Sequence, residues 1–172
     1  NVIPDISTYA KSLGNGYPVA AFGGKREIME VIGPGGVSHG GTYSANGVSL
    51  AAAKAVLEIL EESPVLENMA GRGQRLKSGL GEILSDADLP HQLTGHPNMQ
   101  GFLLTDKEVT EVRHLVYHDV ELYDEILTHM YHQGVWPEAD AREPWFLCEA
   151  HSDEVLDETL NVFQDAVKAA VR

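Results

Sequence analysis

Asp5-Ile6-Ser7-Thr8-Tyr9-Ala10-Lys11-Ser12-Leu13-Gly14-Asn15-Gly16-Tyr17-Pro18 is the stretch on which the fold turns. A β-branched, extended approach runs into a single lysine, and a Gly-x-Gly-x-Pro turn follows. Pro4 and Pro18 bracket the segment and disfavour a continuous helix through it. Gly14 and Gly16 permit positive φ or a close approach of the backbone to a ligand. Such a pattern holds one amine at the end of a strand with little room to wander. Spacing alone equally suits a surface lysine beside a turn, so the chemistry rests on the wider string.

That string runs from Asp5-Ile6-Ser7-Thr8 through Lys11 to Gly14-x-Gly16-x-Pro18-Val19-Ala20-Ala21-Phe22-Gly23-Gly24. It resembles the cofactor-lysine region of class III pyridoxal-phosphate aminotransferases, and within them the glutamate-1-semialdehyde aminomutase-like branch. The family's loop is commonly Lys-x-x-Gly-Gly-Gly-x-Pro. Here the middle glycine is Asn15, a residue that tolerates left-handed backbone better than most. The resemblance continues through Lys25-Arg26-Glu27-Ile28-Met29 and Gly40-Gly41-Thr42-Tyr43-Ser44, then more loosely to the C-terminus.

The resemblance implies an α/β chain, the C-terminal portion of a PLP-dependent transferase of fold type I. Residues 1–63 would end the large cofactor-binding domain, and residues 64–172 would form a small C-terminal α+β domain. Lys11 is then the catalytic residue and the Schiff-base anchor of pyridoxal 5'-phosphate. The family has Gly-Thr-[aromatic]-Ser-Gly-Asn-Pro before its next helix, with the threonine reaching the cofactor phosphate across a homodimer interface. Gly41 and Thr42 match as cofactor-binding residues, while Ala45 and Gly47 depart from the pattern. The family's upstream half carries a phosphate-binding glycine turn and an aspartate on the pyridine nitrogen. Neither fits before Lys11, so a missing N-terminal half is an expected partner.

The implied reaction is amino group transfer, from an amino acid or amine to a keto acid or aldehyde. The alternatives are a glutamate-1-semialdehyde-type 2,1-aminomutase and a truncated, non-catalytic binding subunit. The loop Pro137 to Glu143 is longer than the aminomutase pattern, which favours transamination. Arg142 in that loop suits either a substrate carboxylate or a neighbouring acid on the surface.

Composition narrows the partners. The chain has 172 residues, 43% hydrophobic and 22% charged, an ordinary globular balance. Twelve Lys+Arg against 26 Asp+Glu give a formal net charge of −14, which opposes binding to nucleic acid or anionic membranes. No apolar run approaches a membrane span and no secretory leader is recognisable, so we expect a cytoplasmic protein. The single cysteine, Cys148, sits in Trp145-Phe146-Leu147-Cys148 and reads as a buried structural thiol.

In chain order, Val19 to Phe22 reads as a short buried strand and Lys25 to Ile32 as a short helix before Gly33-Pro34-Gly35-Gly36. Val48 to Glu61 is an alanine-rich helix with Val56, Leu57 and Leu60 as its apolar stripe. Val65 to Leu84 is a second helix, whose glycines suggest close helix–sheet contact. Asp86 to Asn98 is loop-like, Met99 to Thr105 a strand, and Val120 to Gln133 a helix stopped by Gly134. Val135-Trp136 reads as a short strand, and Ser152 as the N-cap of a last helix. His114 and His118, four apart, have the spacing of two metal ligands on a helix face, but no third ligand is identifiable and solvated histidines are the default.

Overall fold

The computed structural model describes residues 2–171. Its contacts divide the chain into two compact units, Asn1–Pro64 and Val65–Arg172.

In the first unit, β1 (Ile6–Tyr9) pairs antiparallel with β2 (Ala21–Gly24), Ile6 opposite Gly24 and Tyr9 opposite Ala21. The helical turn α1 (Arg26–Met29) and the long helix α2 (Gly47–Glu62) follow. The second strand starts later than Val19 and takes in the glycine pair. Gly24 is needed there, because a Cβ would lie 2.3 Å from the Asp5 carbonyl oxygen. Lys25 N–H donates to that same oxygen at 3.0 Å, and the Lys25 ammonium pairs with the Asp5 carboxylate. The strand is largely exposed rather than buried, with β1 as its partner among the described residues. On α2 the buried positions are Ser49 and Ala53, while Leu57 and Leu60 face outward.

The second unit carries α3 (Val65–Asp86), β3 (His91–His96), β4 (Met99–Leu104), α4 (Val120–His132), β5 (Trp145–Phe146) and α5 (Asp153–Ala170). The strands form an antiparallel sheet in the order β3-β4-β5. Phe102 of β4 packs with Phe163 of α5 at 5.3 Å between ring centres, among Leu80, Leu84, Ile126, Leu127, Met130 and Leu156. The glycines of α3 bring its neighbours close. A Cβ on Gly73 would meet the Pro97 carbonyl oxygen at 2.3 Å, and one on Gly81 would meet Leu93 at 2.9 Å.

Three expectations change here. The loop-like stretch after Asp86 contains β3, because Pro97 and Asn98 occupy the hairpin turn and the residues before them pair along all of β4. Val135-Trp136 is not a strand. Gly134, at φ 85°, caps α4, and Val135 N–H donates back to Met130 at 3.1 Å, so it closes the helix instead of joining a ladder. Cys148 is exposed rather than buried. The chain turns after Phe146, with Cys148 N–H donating to His151 Nδ1 at 2.9 Å, and reaches the cap at Ser152, whose hydroxyl accepts from Val155 N–H.

Candidate functional site

Lys11 stands directly beyond β1, as the first residue of a 3-10 turn, Lys11–Leu13. Its backbone is left-handed, φ 55°. For a side-chain-bearing residue that conformation costs about 1–3 kcal/mol and persists only where its surroundings over-determine it. The surroundings do so through hydrogen bonds. Leu13 N–H donates to Ala10, Gly14 N–H to Lys11 and Tyr17 N–H to Gly14, at 3.1, 3.3 and 3.1 Å. Asn15 and Gly16 have φ of 46° and 101°. Gly14 serves by close approach instead, since a Cβ would lie 2.4 Å from Val19 Cγ1 and 2.5 Å from the Tyr17 carbonyl oxygen.

The Lys11 side chain is exposed on this unit and, among the described residues, forms no ion pair, whereas Lys25 of the same hairpin is held by Asp5. An amine left in that condition is available to a reactive carbonyl.

Gly41 to Asn46 form the turn that enters α2. Ser44 N–H donates to Gly41 at 3.0 Å and Asn46 N–H to Tyr43 at 3.1 Å, while the Asn46 side chain accepts from Ser49 N–H at 3.0 Å. The Thr42 and Tyr43 amides have no partner among the described residues, and the Thr42 hydroxyl is exposed. Ala45 is left-handed, φ 58°, at the position where the resembled motif has glycine. A Cβ on Gly41 would meet only Ser44 Oγ at 3.5 Å, so packing within the chain does not demand glycine there.

The end of the lysine turn and the turn entering α2 meet around one cavity. A cavity of about 650 Å³ is lined by Pro18, Ala20, His39, Tyr43, Asn46 and Leu50, among others, but by neither Lys11 nor Thr42. His39 meets Phe22 edge-on at 5.1 Å, a packing role. Sequence reasoning missed the cap at Asn46, although an asparagine immediately before an alanine-rich run signals one.

In the second unit, Arg142 is taken by a neighbouring acid. Its Nε–H donates to both Asp140 oxygens at 2.8 and 2.9 Å. The side-chain bonds from Arg142, and then its backbone N–H, hold the Asp140 carboxyl down to about 2. Burial first of all pushes the Tyr123 hydroxyl up to about 12; Tyr123 donates to the Glu138 carbonyl and accepts from Trp145 Nε1–H. His114 and His118 do not share an α-helical face, because Val112–Tyr117 is 3-10 and His118 lies beyond it. Among the described residues no three potential ligands gather around a metal site.

His118 instead accepts the Leu104 N–H at Nδ1, 3.0 Å, which only a ring unprotonated at that nitrogen permits. Burial lowers its pKa from 6.5, against the opposing pull of Asp119 and Asp124. The unfolded chain therefore binds this proton more readily. The ring's contribution to stability is complete above 6.5 and is lost as pH falls through the lowered folded value. Thermal melts at pH 7.5 and pH 5 should show a lower midpoint in acid, and a smaller drop in His118→Gln. An equal drop in both proteins would assign the effect to other groups.

The chain thus carries a lysine beyond a strand, a hydroxyl-bearing turn before a helix, then a small α+β unit. The chain belongs to the class-III aminotransferase family, whose model matches residues 1–167. It is similar to glutamate-1-semialdehyde 2,1-aminomutase of Aquifex aeolicus, 33% identical over 96% of this chain and 39% of that protein. A corresponding protein of Thermus thermophilus is 36% identical over 95% and 39%. Among solved structures, an omega-transaminase from Sphaerobacter thermophilus superposes with a TM-score of 0.83 at 25% identity, over 99% of this chain and 40% of its own. The FumI protein of Sphingopyxis sp. MTA144, described in a PLP internal aldimine form, gives 0.81 at 26% identity over 98% and 37%. The chain thus spans about two-fifths of the length of these relatives.

Proposed function

We propose that this chain supplies the lysine-bearing part of a pyridoxal 5'-phosphate-dependent transaminase, moving an amino group from an amino acid or amine to a keto acid or aldehyde. The observation that carries the reading is Lys11, an exposed amine with no ion pair among the described residues, on a left-handed backbone fixed by the turn behind it. The residues fit the cofactor at two points. Lys11 Nζ is a nucleophilic amine able to hold it covalently, and the Thr42 hydroxyl with the free Thr42 and Tyr43 amides suits one edge of a phosphate. Gly41 leaves that edge open. Nothing in this chain is assigned to the pyridine nitrogen.

When bound, pyridoxal 5'-phosphate supplies an electron sink for the bonds at the substrate's amino-bearing carbon. Lys11 does the rest of the work assigned to this chain. With its Nζ free, Lys11 would carry the proton between the substrate's amino-bearing carbon and C4′ of the cofactor. Thr42 orients the phosphate end, in our reading from the second protomer of a homodimer. In our reading the remaining machinery lies in an N-terminal part, which agrees with the chain's covering 39% of that relative. No helix among the described residues is long and apolar enough to cross a membrane. The reading keeps the cytoplasm as its compartment, consistent with single-cysteine usage.

A second reading, the 2,1-aminomutase, is favoured by the names of the relatives at 33–36% identity. Release of a keto product in a half-reaction separates the two. The reading as a whole is tested by borohydride reduction of the intact protein loaded with pyridoxal 5'-phosphate, followed by peptide mass mapping. A pyridoxyl mark on Lys11 is expected. An unmarked Lys11 in a sample shown to contain the N-terminal part would leave the non-catalytic binding subunit as the better account.

A further inference from the structure

The second unit holds a groove that the amino-transfer reading does not use. It opens between the end of α4, β5 and the first turns of α5, encloses about 380 Å³, and is walled by Trp136, Trp145 and Phe146. That volume falls within the range of small-molecule sites. Trp136 is 79% exposed and Phe146 62% exposed, a large apolar display on a chain of net charge −14. Trp136 is not loose, because its ring rests on Tyr131 at 5.0 Å between centres. The aromatic wall is therefore in place before any ligand arrives.

The charges around the groove have one sign. Glu138 and Glu158 line it, and among the described residues no lysine or arginine does. Arg75, on the adjoining face of α3, is already committed to Asp153 and Asp157 of α5. His151 also lines the groove, but its Nδ1 is taken by the Cys148 N–H. An anion entering here would meet two carboxylates and no countercharge. A neutral apolar molecule would use the walls but gain nothing from the carboxylates. A cation with apolar substituents uses both, since aromatic faces attract positive charge electrostatically and carboxylates add to it.

We propose that this groove binds an organic ammonium ion, held against Trp136 and neutralised by Glu138 and Glu158. Its lining residues all belong to the second unit, whereas Lys11 belongs to the first.

The test uses tetramethylammonium, which carries no N–H and so cannot react at Lys11 or count as an amino donor. Its neutral isostere, tert-butanol, is the control. Ligand-observed NMR titrations of the intact protein should show tetramethylammonium binding about tenfold more tightly than tert-butanol. Trp136→Leu and the double variant Glu138→Gln/Glu158→Gln should each weaken it by about fivefold, and added salt should weaken it in the wild type. All three side chains are exposed, so the variants are expected to retain the wild-type circular dichroism. The borohydride mark on Lys11 should be unchanged in them, which keeps this test distinct from that of the amino-transfer reading. Equal affinity for the two probes, binding indifferent to both variants, or no binding because another part of the intact protein covers the groove would each overturn the proposal.

Discussion

Replacing Lys11 by alanine should lower the turnover of the intact enzyme by about 10²–10⁴-fold or more, with little change in stability. The lower bound is the usual contribution of a positioned proton-transfer group, and losing the covalent anchor adds to it. The side chain is exposed and forms no ion pair among the described residues, so its removal takes no packing within this chain with it. A surface change of that kind usually stays within about 0.5 kcal/mol. Lys11→Arg should be as inactive as Lys11→Ala. A guanidinium keeps the charge but is neither a nucleophile nor a proton acceptor at working pH.

Lys11→Gly makes the argument sharper. At φ 55° every residue with a Cβ is strained, and glycine is not. The glycine variant should therefore be inactive and yet more stable, by about 1 kcal/mol. Denaturant melts and turnover measured on the three variants read both quantities. Wild-type turnover in any of them would remove Lys11 from the chemistry. A glycine variant no more stable than the alanine one would mean that the left-handed turn stores no strain.

What the sequence revealed follows the physics of each element. The Lys11 turn was legible because glycine, asparagine and proline have few conformational uses, and four of them punctuate eight residues, Lys11 to Pro18. Helices α3 to α5 were legible through apolar spacing, the Gly134 stop and the Ser152 cap, whereas α2 was legible through its alanines, its buried face being Ser49 and Ala53 rather than the apolar stripe. The strand β3 was not, because His91 to His96 is short, polar and flanked by prolines, and its extended form comes from pairing with β4. Cys148 was misread for a related reason. The apolar run containing it continues in sequence, but the turn to His151 lifts the thiol out of the core that Trp145 enters. At the candidate site the motifs pointed to Lys11, Gly41 and Thr42. Their backbone cost, at Lys11 and at Ala45, appears only in the dihedral angles. The chain covers two-fifths of its relatives' length, so groups elsewhere in such a protein leave no trace in these 172 residues.

The largest stability effect is expected at Phe163. Its ring is fully buried on α5 and packs at 5.3 Å on Phe102 of β4 and at 6.3 Å on Trp145 of β5. It therefore joins the last helix to two strands of the sheet, with Leu156 and Val167 of the same helix buried on either side along the sequence. Phe163→Ala removes a whole ring, and neighbours anchored on three elements have little freedom to collapse into the space. A loss of about 3–5 kcal/mol is expected, against a total domain stability of about 5–15 kcal/mol. Phe163→Leu keeps most of the volume and should cost roughly 1.5 kcal/mol. Urea melts of the intact protein followed by near-UV circular dichroism are the measurement, because Trp145 sits in the same aromatic cluster and loses its fixed environment with the ring. If the alanine and leucine variants melt together, the helix does not bear on Phe102 and Trp145 through this side chain. The core would then rest on the aliphatic contacts of Leu80, Leu84, Ile126 and Leu127.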